Sequence, residues 1–381
     1  MTITVGSPSK KLLISGDSHV IEPPDLFAKP LQKKYGEAVP KRVDEYRGVK
    51  GDFYFTGLEY FRVDELVEGE DEIQRKTLAA MRDPAARLRC LDEDGVYAEL
   101  LNASSMLYTM RARNDQLVQD CCQVFNDWQA ETCSHAPTRL FATAMIHMAN
   151  VDWAVKELER VKKKGLRSAI INCDTRPEWE PYRSRKYDPF WAAAEAHELP
   201  VTLHIITGNV RDPFTLHGDE RSNAPRFGWN VLSEAAPVLS CEFLFGGIMD
   251  RFPTLKVVLS EFEVSWLPYW IFRNEQRRDV LGPALGIDLP KKPIREYLPR
   301  IFHGLVDDPF FDRFTDLVDP KTVLWGSDFP HARCTYPNSQ QVVSRVLAKL
   351  TPEARDDIAF WNATRLYGIA PPVGGREAIL T

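Results

Sequence analysis

The chain has 381 residues, of which 44% are hydrophobic and 27% are charged, and its formal net charge is −6. This composition is typical of a globular protein and excludes a disordered or fibrous chain. The basic residues are scattered, which argues against a nucleic-acid partner, and no apolar run reaches the roughly 18 residues of a membrane-spanning helix.

Short β-rich runs alternate with amphipathic segments along the chain, which is the pattern of repeated βα units and of a parallel sheet. Helices are predicted at Asp115–His135, Asp152–Lys164 and Pro189–His197, and Asp83-Pro84 predicts the start of a helix over Ala85–Asp94. Eight strands predict an α/β fold with a single (β/α)8 TIM barrel over residues 1–381. The predicted strands are Leu12–Ser15, Ala98–Leu101, Phe141–Ile146, Ser168–Ile171, Pro200–Ile206, Lys256–Ser260, Ile301–Leu305 and Val323–Trp325.

Two stretches fit no simple βα unit. Residues 23–80 are rich in proline, glycine, aromatic and charged residues, and residues 207–235 contain asparagine, proline, glycine and aromatic residues without periodicity. Long loops in compact domains are usually functional. We therefore predict that both stretches are lid insertions over the C-terminal face of the barrel.

Residues that can bind a metal follow several of the predicted strands. Asp17 and His19 end the first strand, and they should project together because residues two apart on a strand share a face. Other strand ends deliver, in chain order, His204, Glu261, Asp328 and, three residues later, His331. Barrel active sites are built where the carboxyl ends of the strands meet, so one shared metal explains these residues together. The predicted ligands are Asp17, His19, His204, Glu261 and Asp328.

Several motifs resemble the amidohydrolase-related family typified by aminocarboxymuconate semialdehyde decarboxylase and the related aromatic-acid decarboxylases. The resemblance extends from Ile14 to about Tyr367. Besides the ligand motifs it rests on Asp94-Gly95-Val96, Asn126-Asp127-Trp128, Pro137-Thr138-Arg139-Leu140, Asp250-Arg251-Phe252-Pro253-Thr254-Leu255-Lys256 and Trp325-Gly326-Ser327-Asp328-Phe329-Pro330. The resemblance implies the (β/α)8 barrel, a homodimer, and a double role for Asp328 as metal ligand and general base.

Two positions depart from the family pattern. Asp17 stands where the family commonly has the first histidine of His-x-His, and Glu261 stands where it usually has a histidine after the sixth strand. Oxygen-rich sites suit iron or manganese better than zinc, so we expect one or two Fe or Mn ions per chain, with Zn possible.

Further residues are predicted to support these ligands. Glu22 and His331 are candidates for holding a ligand imidazole, because a metal-bound histidine needs a partner for its other nitrogen. Glu263 is a second such supporting carboxylate. It could also take part in a dinuclear centre. Asp328, Glu261 and His331 are the predicted catalytic residues.

Three functions remain open from the sequence. The first is an enzyme that hydrolyses or decarboxylates a small apolar or aromatic carboxylic compound, by activating a water on the metal or by anchoring the substrate to it. The second is a dinuclear iron oxygenase, because hard anionic ligands suit such iron sites. The third is a non-catalytic binding protein, against which the retained metal-binding side chains argue. Seven cysteines without a C-x-x-C pair predict reduced thiols and a cytoplasmic protein.

Overall fold

A parallel sheet of eight strands provides the frame of the site. The computed structural model describes residues 11–57, 60–62, 72–208, 234–287 and 290–378. Within these residues the sheet has the order β1-β5-β6-β7-β8-β9-β10-β11, and every neighbouring pair is parallel. In chain-order numbering its strands are β1 (Leu13–His19), β5 (Val96–Asn102), β6 (Leu140–Met145), β7 (Ser168–Ile171), β8 (Val201–His204), β9 (Val257–Ser260), β10 (Ile301–Leu305) and β11 (Val323–Trp325).

Helices connect these strands and surround the sheet. In the described part of the chain they are α1 (Ala28–Tyr35), α2 (Glu72–Ala80), α3 (Pro84–Asp94), α4 (Ser105–Thr109), α5 (Asp115–Ser134), α6 (Val151–Lys163), α7 (Asp188–Ala196), α8 (Ala236–Val238), α9 (Ile248–Arg251), α10 (Leu267–Gln276), α11 (Gly282–Leu285), α12 (Ser339–Val346), α13 (Pro352–Asp356) and α14 (Asn362–Tyr367). None of the described helices is both long enough and apolar enough to span a membrane.

Local sequence signals explain where several helices begin and end. The Asp83 carboxylate accepts the backbone N–H groups of Ala85 and Ala86 at the start of α3, and Pro84 occupies the first turn. Asn114 and Asn150 cap α5 and α6 in the same way. The helices predicted from periodicity are confirmed to within one residue at each end.

The sheet closes into a barrel where β11 meets β1. The backbone N–H of Asp328 donates to the Asp17 carbonyl at 2.9 Å, and that of His19 donates to the Phe329 carbonyl at 2.7 Å. Against β5, the register of β1 gains one residue between Ser15 and Ser18, which is a β-bulge. Bulges re-aim side chains next to active sites, and this one contains Asp17 and ends directly before His19. The (β/α)8 prediction is confirmed.

Apolar side chains fill both sides of the strands. The larger cluster lies between the strands and the helices. A second cluster joins Ile14, Leu100 and Val258 to Phe360 and Tyr367 of the C-terminal helical segment. Burial of this kind stabilises by about 25 cal/mol per Å² of apolar surface, which makes the strand frame the rigid part of the molecule.

The segment predicted as a lid loop over 23–80 contains regular structure. Besides α1 and α2 it forms a three-stranded antiparallel sheet of β2 (Lys41–Tyr46), β3 (Val49–Phe55) and β4 (Tyr60–Arg62). The Tyr54 hydroxyl lies 3.0 Å from the Thr109 hydroxyl and fastens this sheet to α4. In the second predicted lid, 207–235, residues 209–233 lie outside the described residues.

Candidate metal centre

Four strand ends bring the five predicted ligands to one place. Asp17 lies in the bulge of β1 and His19 ends that strand, His204 ends β8, Glu261 follows β9, and Asp328 follows β11. Glu261 and Asp328 adopt positive φ angles of 63° and 56°. This left-handed conformation is costly for a side-chain-bearing residue and is found where a site fixes the backbone. Here it turns each carboxylate at a strand end.

A first group of ligand atoms joins Asp17, His19, His204 and Glu261, whose atoms lie within 4.8 Å of one another. His19 Nε2 lies 2.8 Å from Glu261 Oε1 and 3.5 Å from Asp17 Oδ1. His204 Nε2 lies 3.8 Å from the same two oxygens. Two imidazole nitrogens and two carboxylates therefore converge on one point.

A second group overlaps the first and comprises His19, Glu261, Asp328 and His331, again within 4.8 Å. Asp328 Oδ1 lies 3.6 Å from His19 Nε2 and 2.7 Å from His331 Nδ1. The rings of His19 and His331 are 4.1 Å apart at their centroids. Since His19 and Glu261 belong to both groups, they lie between two candidate metal positions.

Hydrogen bonds at Nδ1 determine the orientation and the protonated nitrogen of the His19 and His204 imidazoles. His19 Nδ1 lies 2.7 Å from the Ala103 carbonyl, and His204 Nδ1 lies 3.1 Å from the Ile205 carbonyl. A carbonyl oxygen can only accept, so each Nδ1 donates a proton and each Nε2 is left to face the cluster as a ligand atom. This is the arrangement in which histidine binds metals.

Two polar atoms in the cluster have no hydrogen-bond partner, which bears on whether a cation fits there. Among the described residues, His204 Nε2 and Asp17 Oδ2 are buried without a hydrogen-bond partner. A buried polar atom without a partner costs about 1–3 kcal/mol. Because both residues belong to the first ligand group, a divalent cation bound there would satisfy such atoms, and the residues present fit a metal.

The residues of the cluster shift one another's pKa values. Burial would raise the pKa of Asp17, but the neighbouring His19 and His204 imidazoles hold it below its usual value. Burial, reinforced by the Asp328 carboxylate, raises the pKa of Glu261 well above its usual range. Burial would lower the pKa values of His19 and His204, but the neighbouring carboxylates outweigh it and raise both. Metal binding at these residues would therefore displace protons.

Close contact between β11 and β1 sets the position of Asp17. A Cβ atom on Gly326 would lie only 2.6 Å from Asp17 Cβ, so only glycine fits there. The hydroxyls of Ser15, Ser18 and Ser327 hydrogen-bond to one another behind this contact at 2.9–3.2 Å. The two strand ends thus form one unit.

Two predicted supporting carboxylates bind backbone donors. The Glu22 carboxylate accepts three backbone N–H groups, from Ser104, Ser105 and Met106. Glu263 accepts the backbone N–H groups of Val306 and Asp307 at 3.1 and 3.2 Å. Neither residue belongs to a ligand group, and the supporting role of both at the ligands stays a prediction.

Three consecutive residues that the sequence analysis missed contact the cluster. Asn102 Nδ2 donates to Asp17 Oδ1 at 2.6 Å, the Ala103 carbonyl accepts from His19, and the Ser104 hydroxyl lies 2.9 Å from His331 Nε2. Asn102 is the last residue of β5. The strand-end reasoning that found Asp17 would also have found this asparagine.

Comparison with known proteins identifies the family. The model of the family described as Amidohydrolase matches residues 77–369. The chain belongs to this family. The resemblance stated from the motifs is confirmed, and the protein is a member of a group of metal-dependent enzymes.

Similar proteins include two curated relatives and a solved structure. The gamma-resorcylate decarboxylase of Polaromonas sp. (strain JS666 / ATCC BAA-500) is 27% identical over 74% of this chain and 86% of its own length. The 2-amino-3-carboxymuconate-6-semialdehyde decarboxylase of Dictyostelium discoideum is 23% identical over 76% and 77%. The dihydroxybenzoic acid decarboxylase of Polaromonas sp. JS666, solved with manganese and the inhibitor 2-nitroresorcinol, is 20% identical, with a TM-score of 0.65 over 94% of this chain and 97% of that one.

Proposed function

We propose that this family member is a metal-dependent carboxy-lyase that removes carbon dioxide from a small aromatic carboxylic acid. The observation that carries the proposal is the convergence of Asp17, His19, His204, Glu261 and Asp328 at one end of the barrel. The relatives named above are decarboxylases, which favours decarboxylation over the hydrolysis that the sequence left equally open.

The five converging residues would hold a divalent cation, which when bound would anchor substrate oxygens and stabilise the negative charge that builds as carbon dioxide leaves. Manganese or iron suits this oxygen-rich set, with zinc possible, and a related decarboxylase was solved with manganese. Loss of carbon dioxide leaves a carbanion equivalent, so the reaction also needs a proton donor.

His331 is the proposed proton donor. Its Nδ1 lies 2.7 Å from Asp328 Oδ1, so the carboxylate holds the proton at that nitrogen. Its Nε2 is held by the Ser104 hydroxyl at 2.9 Å, which fixes the ring plane. His331 and Asp328 therefore form an acid–base pair at the edge of the ligand cluster, and Asp328 would also serve as general base. Glu261, which belongs to both ligand groups, would bind the metal as an anionic ligand.

A dinuclear iron oxygenase is the second candidate, and one observation favours it. The ligand atoms form two overlapping groups that share His19 and Glu261, and Glu261 offers a carboxylate that can bridge two ions. A mononuclear carboxy-lyase has no need of the second group, so the number of ions per chain separates the two candidates.

The deciding experiment measures metal content and carbon dioxide release together. The protein is purified without chelators, in air and anaerobically, its metals are quantified, and 2,6-dihydroxybenzoate and 5-carboxyvanillate are tested as probes. About one equivalent of manganese or zinc with carbon dioxide release supports the carboxy-lyase. About two equivalents of iron with oxygen consumption supports the oxygenase. No metal, even after divalent ions are added, leaves a non-catalytic binding protein.

A variant pair links any activity to the site. Asp328→Asn should lower kcat by about 10²–10⁴, the usual contribution of a general acid–base group. Asp92→Asn is the control, because Asp92 pairs with Arg139 outside both ligand groups. Equal activity of the two variants would contradict the assignment of Asp328. We also propose that the protein acts on its substrate as a cytoplasmic homodimer, which gel filtration and cell fractionation test.

A further inference from the structure

The buried carboxylate of Glu22 organises the segment after β5. Its side chain is buried, at 3% exposure. Oε1 accepts the backbone N–H of Ser104 at 3.1 Å and that of Met106 at 2.9 Å, and Oε2 accepts that of Ser105 at 2.9 Å. Charge-assisted hydrogen bonds of this kind are about twice as strong as neutral ones. The start of α4 is therefore tied to the chain that leaves β1.

The same segment supplies a partner to each of two imidazoles at the cluster. The Ala103 carbonyl accepts from His19 Nδ1 at 2.7 Å. The next residue, Ser104, places its hydroxyl 2.9 Å from His331 Nε2. His19 belongs to both ligand groups and His331 to the second. A shift of residues 103–104 would consequently turn both rings.

We propose that Glu22 is a positioning residue that acts on the metal centre through residues 103–106. It fixes the Ala103 carbonyl and the Ser104 hydroxyl, which in turn fix the directions of His19 Nε2 and of the His331 ring. This inference rests on the proposed metal site, and it assigns a function to a buried carboxylate that the ligand cluster leaves unused.

The geometry separates this role from that of an ordinary helix cap. The helix that Glu22 caps, α4, has only five residues, and the segment that Glu22 holds includes residues 103 and 104, which contact the ligand cluster. Asp94 provides the contrast. It is also buried and accepts the backbone N–H of Ser339 at 3.0 Å at the start of α12, but it precedes β5 in the chain and belongs to neither ligand group.

The test measures Mn²⁺ affinity of the metal-free full-length chain by titration calorimetry, with thermal unfolding recorded in parallel. Partners that orient metal-bound histidines typically contribute 10–100-fold to affinity, and Glu22→Ala should weaken Mn²⁺ binding by about this factor. Glu22→Gln should be intermediate, because it keeps one acceptor oxygen. Asp94→Ala should lower the unfolding temperature and leave Mn²⁺ affinity unchanged.

A second measurement keeps the inference testable if Glu22→Ala does not fold. Ser104→Ala is combined with Glu22→Gln, and the effect of Ser104→Ala on Mn²⁺ affinity should be smaller in the double variant than alone, because both residues act through one segment. Additive effects overturn the inference, as does equal Mn²⁺ affinity of Glu22→Ala, Asp94→Ala and the wild-type protein. A wild-type chain that binds no divalent ion overturns the proposed function as well, so the two failures are distinguishable.

Discussion

Replacing Gly326 by alanine tests how closely β11 and β1 approach each other at the site. The new Cβ would lie 2.6 Å from Asp17 Cβ, 3.1 Å from its carbonyl oxygen and 3.2 Å from its Cα. Carbon atoms in contact prefer about 3.5–4.0 Å, so the two strand ends must separate by about 1 Å. Every one of the three nearest atoms belongs to Asp17, and none is the far end of a flexible side chain.

Two effects of known size should follow. Overpacking of a rigid contact costs about 1–3 kcal/mol of unfolding free energy. Displacing a functional group by about 1 Å can cost about 10²-fold, which here should appear as weaker Mn²⁺ binding because Asp17 is a predicted ligand. Titration calorimetry of the metal-free chain measures the second effect, and thermal unfolding without metal measures the first.

Gly16→Ala is the matched control. It adds the same methyl group to the same pair of strands, but its nearest neighbours are Leu324 Cβ at 3.3 Å and the Trp325 carbonyl oxygen at 3.4 Å, so the strands need to shift far less. We expect near-normal Mn²⁺ affinity from Gly16→Ala. The reasoning is refuted if Gly326→Ala binds Mn²⁺ as the wild type does and unfolds no more easily than Gly16→Ala.

Three further predictions concern buried charges. Burial raises the pKa of Glu234 to about 7, so its contribution to stability is complete below its unfolded pKa of 4.5 and is lost as pH rises to about 7. The Glu234→Gln variant should therefore gain stability relative to the wild type as pH rises from 4 to 8, by at most about 3 kcal/mol, which denaturant unfolding measures. Burial lowers the pKa of His303 to about 3, so wild-type stability should fall from pH 6.5 downward and His303→Phe should resist this acid loss. Arg87 and Glu99 form a buried ion pair, and Arg87 also donates to the Phe329 carbonyl at 3.2 Å. We expect Glu99→Gln to lose about 3–5 kcal/mol of unfolding free energy, and the double variant Arg87→Met/Glu99→Leu to lose less.

The sequence predicted the frame because the frame depends on local patterns. Each βα unit repeats the same alternation of an apolar strand and an amphipathic helix, and caps such as Asp83 and Asn150 are read within a few residues. Residues 23–80 were harder, because charged and aromatic residues in a small exposed sheet give no clear period. In that sheet no residue of β2 (Lys41–Tyr46) is fully buried, and in β3 only Phe53 and Tyr54 are.

Apart from Asn102, the contacts that support the site could not be predicted, because they join distant segments of the chain. Glu22 lies three residues after His19 in the sequence, but its carboxylate accepts from the backbone of residues 104–106. The Ala103 carbonyl carries no signal at all, since every residue has one. The structure had to place β1 beside β5 before either contact could be recognised.

The net charge of the ligand cluster relates the carboxylates at positions 17 and 261 to the number of divalent ions that the site can hold. Asp17, Glu261 and Asp328 carry three negative charges when all are ionised, and unpaired charge is costly at a buried site. One divalent cation leaves a single negative charge, and two leave a single positive charge, which a substrate carboxylate would neutralise. The carboxylates at positions 17 and 261, where the family commonly has histidine, therefore supply the negative charge that a second divalent ion would need.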